Sequence, residues 1–95
     1  MIVDFSISPI GKGVSLSRYV AEAYRIIEDS GLPHEFHAMG TNIEGEWDEV
    51  IGVIKACRDR FLETADRVSI SIRIDDRKGR SDRLARKVAS AREKM

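Results

Sequence analysis

Two stretches, IVDFSISP at 2–9 and VSISIRID at 68–75, constrain the fold more than anything else in the chain. In the first, Val3, Phe5 and Ile7 point one way, and Ile2, Asp4, Ser6 and Ser8 the other. In the second, Val68, Ile70, Ile72 and Ile74 line one face, and Ser69, Ser71, Arg73 and Asp75 line the opposite one. Side chains alternate across a strand, so each stretch predicts a half-buried strand. Each has one apolar face and one of small polar groups that fill a core poorly. A sheet built from them has one face to cover and one to leave open.

The residues between them supply the cover. Leu16, Val20, Ala23 or Tyr24, and Ile27 recur at helical spacing after a cap at Ser15 or Ser17, and Gly31 with Pro33 ends that helix. HEFHAM predicts a short strand with Phe36 and Ala38 on its apolar side. Gly40 turns the chain into a second short strand, TNIE, which Gly45 ends. A second helix begins near Glu46, with Val50, Ile54, Cys57 and Phe61 on one face. After the RKGR turn, Ser81 caps a last helix with a narrow stripe of Leu84, Val88 and Ala91. The order is βαββαβ plus a terminal helix, an α+β two-layer arrangement. Right-handed crossovers give strand order 4-1-3-2. The open face would carry Ser6, Ser8, Asn42, Glu44, Ser69 and Ser71.

Ninety-five residues make one domain whose core is feasible but thin. No apolar run approaches the length of a membrane span and no signal pattern is present, so a cytoplasmic location is expected. The single cysteine excludes an internal disulfide. Net charge is zero but divided. Residues 1–76 hold eight Lys or Arg against fourteen Asp or Glu, a net −6; residues 77–95 hold eight against two, a net +6. Residues 79–95 thus form a basic C-terminal helix beside a domain spanning 1–78. A solvated face or a contact between subunits explains the basic segment, and so does a nucleic-acid patch. The acidic body would repel a polyanion, and no aromatic residues interleave the basic ones, so nucleic acid is not expected.

Catalytic constellations are missing from the pattern. His34 and His37 are three apart on a strand and face opposite sides, so they cannot hold one metal together. Cys57 lies in an apolar stripe with nothing beside it to stabilise a thiolate. The glycines of PIGKGVSLS match neither GxxxxGK[ST] nor GxGxxG, although glycines before a helix start can hold an anion. Asp48 and Glu49 sit where acids serve the helix dipole. No enzymatic reaction is required by any motif, and a binding protein without metal or cofactor is expected.

One stretch holds more than its fold needs. MGTNIEGEWDE, residues 39–49, packs two glycines, a Thr-Asn pair, four acids and the chain's only tryptophan into eleven residues. Gly40, Gly45 and the acids have structural reasons. Thr41, Asn42, Glu44 and Trp47, with Ser6 and Ser8 on the neighbouring strand, also make a candidate site rich in hydrogen-bonding groups and negative in sign. Such a site rejects phosphate and favours a flat cationic heterocycle, which gains about 0.5–2 kcal/mol over an indole face. A purely structural role for the stretch stays open beside this one.

Pro9 and Gly11 after the first strand, Ser15 at the helix start, SGL at 30–32, GT at 40–41 and EG at 44–45 together resemble the thiamine-binding protein family, the YkoF-like group. The resemblance spans roughly residues 2–78. It implies a ferredoxin-like fold and homo-oligomers, dimers or dimers of dimers, formed through the sheets. It also implies non-catalytic binding of thiamine or its hydroxymethylpyrimidine part. Thr41 and Glu44 carry over as members of the GT and EG motifs, and Ser6 and Ser8 by position; Asn42 and Trp47 rest on the residues alone. The alternative is an oligomeric regulatory or structural module that binds another small metabolite through the same open face.

Overall fold

A computed structural model describes residues 1–11, 16–78 and 91–94. The elements run β1 (Ile2–Pro9), α1 (Leu16–Asp29), β2 (His34–His37), β3 (Gly40–Glu44), α2 (Trp47–Phe61) and β4 (Val68–Asp75). The four strands form one antiparallel sheet in the order β2-β3-β1-β4, which is the expected order read from the other edge. The fold is α+β and ferredoxin-like. The terminal-helix assignment falls mostly outside the described residues; of these, 91–93 are helical.

Register fixes the two faces. Val3 pairs with Ile43 and Ile74, and Phe5 with Thr41 and Ile72. Directly paired residues share a face, so these side chains look toward the helices. Asp4 pairs with Asn42 and Arg73, Ile2 with Glu44 and Asp75, and Ser6 with Ser71. Those residues share the opposite face, as the alternation requires. Val3, Ile43, Ile27, Val50, Cys57 and Phe61 are fully buried and make the centre of the core. Each such aliphatic or aromatic side chain stabilises the fold by about 1.5–3 kcal/mol.

The buried face of α1 differs from its expected one. Tyr19, Ala23 and Ile27 point inward, whereas Leu16 and Val20 are 58% and 43% exposed. Tyr19 takes the inward position because it satisfies both of its ends there. Its ring meets Phe61 edge-on at a centroid distance of 4.9 Å, and its hydroxyl lies 2.9 Å from Thr64 Oγ1. A buried phenol needs such a partner. In α2 the expected stripe holds, with Val53 added. Glu49 Oε1 accepts the Glu46 N–H at 3.0 Å, which satisfies a backbone donor at the helix start. At the far end of α1, Gly31 adopts φ +73, a left-handed conformation that suits glycine.

Along β4 the apolar face is only partly covered. Val68 and Ile70 pack against the core, whereas Ile72 and Ile74 are exposed. β4 is an edge strand paired only with β1 among the described residues.

Candidate functional site

β1 is longer than its partner on one side. β4 accompanies it from Ile2 to Pro9, but β3 pairs with it only as far as Phe5, opposite Thr41. Beyond that point the chain of β3 has already come from the β2–β3 turn at Ala38 and Met39. Residues 6–8 of β1 therefore have a strand on one side and a gap on the other. The gap is a cleft of about 290 Å³. Ser6, Ile7 and Ser8 line it from β1, Val20, Ala23, Tyr24 and Ile27 from α1, and residues 37–41 from the hairpin. Because it opens at a strand edge, it gathers side chains from both faces of the sheet.

Its chemistry is that of hydroxyls beside aromatic and aliphatic walls. Thr41 is 4% exposed and, apart from the partnered Tyr19 hydroxyl and the Cys57 thiol, is the one buried polar side chain among the described residues. Its hydroxyl has no hydrogen-bond partner among them, although buried polar groups are nearly always paired. Tyr24 stacks on Phe36 with ring centroids 3.7 Å apart and planes 15° from parallel, so the aromatic wall is held flat. Among the described residues, no carboxylate lines the cleft. An adjoining dent of about 120 Å³ on the polar face shares Ser6 and Met39 with it and adds Asp4, Ser71 and Arg73.

The six residues read as one site divide into two groups. Ser6, Ser8 and Thr41 come together in the cleft. Thr41 reaches it from the helix side of the sheet, not from the open face. Asn42 lies on the open face opposite Asp4, diagonal to Ser6. Glu44 shares that face, but it pairs with Ile2, four residues from Ser6 and six from Ser8 along β1. At about 3.4 Å per residue these separations are about 14 and 20 Å. Trp47 opens α2 just after Glu44, at the same remote end, and is 56% exposed. The spacing of MGTNIEGEWDE made neighbours in sequence look like neighbours in space, whereas β3 carries them away from the cleft. Tyr24 and His37 belong to the cleft and were missed. The signal for Tyr24 was its position four residues after Val20; for His37 none existed before the turn was placed.

His34 and His37 do face opposite sides. His34 Nδ1 donates to Leu32 O at 2.8 Å, and His37 Nε2 lies 3.0 Å from Asp4 Oδ1. Among the described residues, no three His, Cys, Asp or Glu side chains converge as a metal site would need. No helix among them is long and apolar enough to cross a membrane. Burial pushes the Cys57 thiol up to about 11, which keeps it protonated and unreactive.

Comparison with known proteins agrees with the fold. A UPF0045 protein of Synechocystis is 42% identical over 91 residues, covering 95% of this chain and 75% of its own. A UPF0045 protein of Mycobacterium bovis is 41% identical over 91 residues, covering 95% and 89%. The crystal structure of a hypothetical protein from Methanocaldococcus jannaschii superimposes with a TM-score of 0.86 at 37% identity, over 97% of this chain and 95% of that one. The family described as thiamine-binding protein matches residues 3–92, and the chain belongs to it.

Proposed function

We propose that the protein binds thiamine, or a related ligand joining an aminopyrimidine to a cationic ring, without transforming it. The observation that carries this reading is the Thr41 hydroxyl, buried and unpartnered at the wall of a cleft beside a stretch of strand edge. A ring with donors and acceptors around its rim satisfies that hydroxyl and those of Ser6 and Ser8, while Tyr24 packs against its face. The cleft lies at the small end of the size range of ligand pockets, which suits one ring and leaves the rest of the ligand outside. Asp4 in the adjoining dent gives a cationic group a favourable neighbour. Family membership supports the same ligand class.

Titration calorimetry with thiamine and with hydroxymethylpyrimidine tests the reading. Ligand at 100 times Kd adds about 2.7 kcal/mol of stability. Thr41→Val removes the hydroxyl at nearly constant shape and weakens binding about fivefold or more; Glu44→Ala and Trp47→Ala, at the remote end, leave it within about twofold. Absence of heat and of any melting shift at millimolar thiamine overturns the proposal. A second reading, an oligomeric module for another metabolite, draws on the open polar face and the exposed Ile72 and Ile74. A thermal-shift screen of metabolites separates the two.

A further inference from the structure

The wall of the cleft opposite a regular strand is a turn, and the turn lacks the means to hold itself. Ala38 and Met39 are the only residues between β2 and β3, whose last pair is His37 with Gly40. Two-residue hairpin loops favour left-handed backbone at one or both central positions, which is why Asn and Gly dominate them. Neither Ala38 nor Met39 adopts positive φ. The turn is therefore of a kind whose twist matches the flanking strands poorly. Met39 at its tip is 84% exposed, so packing does not fix it either.

His37 supplies what the turn lacks. Its Nδ1 accepts the Met39 N–H at 3.3 Å. This is the bond from residue i to the amide of i+2 by which Asn and Asp side chains close turns. The other ring nitrogen, Nε2, lies 3.0 Å from Asp4 Oδ1. The two contacts together select one tautomer. Nδ1 must be bare to accept from an amide, so Nε2 bears the proton and donates it to the carboxylate. The ring thus spans from β1 to the turn, with Asp4 as anchor and the Met39 amide as the group held. Asp4 lies two residues before Ser6 on β1, and Gly40 and Thr41 follow directly on Met39.

We infer that His37 is a positioning residue for the cleft. Locked as the Nε2–H tautomer between Asp4 and the Met39 amide, it sets where residues 38–40 stand, and through them how the Thr41 hydroxyl is presented. Nothing in this requires the imidazole to touch a ligand. The inference rests on the reading of the cleft as a thiamine-class site, but its structural half can be measured without any ligand.

Two substitutions separate the two ends of the ring. His37→Asn places a side-chain oxygen where it can accept the Met39 N–H and drops the Asp4 contact. His37→Gln keeps a donor that reaches Asp4 and drops the brace on the turn. Nitrogen-15 spectra of the wild-type imidazole at pH 8 should show the proton on Nε2. Amide exchange at Met39 should quicken about tenfold in His37→Gln and stay near wild type in His37→Asn. Thiamine Kd should rise about three- to tenfold in His37→Gln and clearly less in His37→Asn, which alters the same cleft wall but keeps the brace. A proton on Nδ1, or equal Met39 exchange in all three proteins, overturns the brace. Faster exchange in His37→Gln with unchanged Kd overturns its role in binding. A wild-type protein that takes no thiamine sinks the ligand reading and its affinity claim, while tautomer and exchange still decide the brace.

Discussion

At the scale of single residues, Gly40 and Cys57 show how closely this small domain is packed. A Cβ added to Gly40 would stand 2.6 Å from the Phe5 carbonyl oxygen, backbone against backbone with no side chain to swing away. Gly40→Ala should destabilise the protein by about 1–3 kcal/mol, read as a lowered denaturant midpoint, and should disturb the cleft that Gly40 lines. Sequence placed that glycine at the link between two strands, whereas the link is Ala38 and Met39 and Gly40 is the first residue of β3. The reason for a glycine there was not legible, because a contact with Phe5 depends on register and leaves no local trace. Cys57 was legible as a buried, inert thiol. Its pKa is raised by burial from 9.0 to about 11, so the folded state holds the proton more tightly than the unfolded chain does. The stability from this group is complete below pH 9 and is lost as pH rises through about 11, a fall of about 3 kcal/mol. Denaturant titrations at pH 7 and pH 10.5 check the sign. Cys57→Ala should reduce the slope, and the native thiol should resist an exposed-thiol reagent until the protein unfolds.

At the scale of elements, strands were read more accurately than helix faces. Alternation in β1 and β4 has a period of two, and a shift of one residue would have exchanged the faces wholesale, so sequence left no ambiguity. The stripe of α1 was ambiguous by about one residue because Tyr19, Val20, Ala23 and Tyr24 are all partly apolar. The choice was settled by Phe61 and Thr64, 42 and 45 positions further along the chain, which give the Tyr19 ring and hydroxyl their partners. Tyr19→Phe should therefore cost about 1 kcal/mol by thermal melting, more than expected of a residue that sequence spacing leaves beside the stripe. The start of α2 was clear from its acids, and Glu49→Ala should cost about 0.5–1 kcal/mol by removing the acceptor for the Glu46 amide. The candidate site was legible in half. Alternation in β1 and the GT link named Ser6, Ser8 and Thr41, which the fold brings to one cleft, whereas β3 runs away from it and takes Glu44 and Trp47 to the other end of the sheet.

At the scale of the molecule, the sheet has two faces with different needs. Both helices sit on one of them. The other carries Ser6, Ser69, Ser71, Asn42, Asp4 and Arg73, polar and charged side chains that make no core. An eight-residue edge strand without proline, glycine or bulge adjoins it, and edges of this kind are usually protected. We expect a second copy of the chain to use this surface, so the 10.7 kDa chain should sediment as a dimer or larger species at micromolar concentration. Ser71 is exposed at the middle of the face, opposite Ser6. Ser71→Glu places like charges across any two-fold axis through this face and should shift the protein to monomer while leaving its circular dichroism unchanged. The cleft is lined by a single chain from three elements, and a carboxylate at 71 joins Asp4 in the adjoining dent, so the monomeric variant should bind thiamine at least as tightly as the wild type. A loss of binding together with assembly would instead mean that the neighbouring copy completes the site beside Asp4 and Ser6. A wild-type protein that sediments as a monomer overturns the expectation that a second copy uses this face.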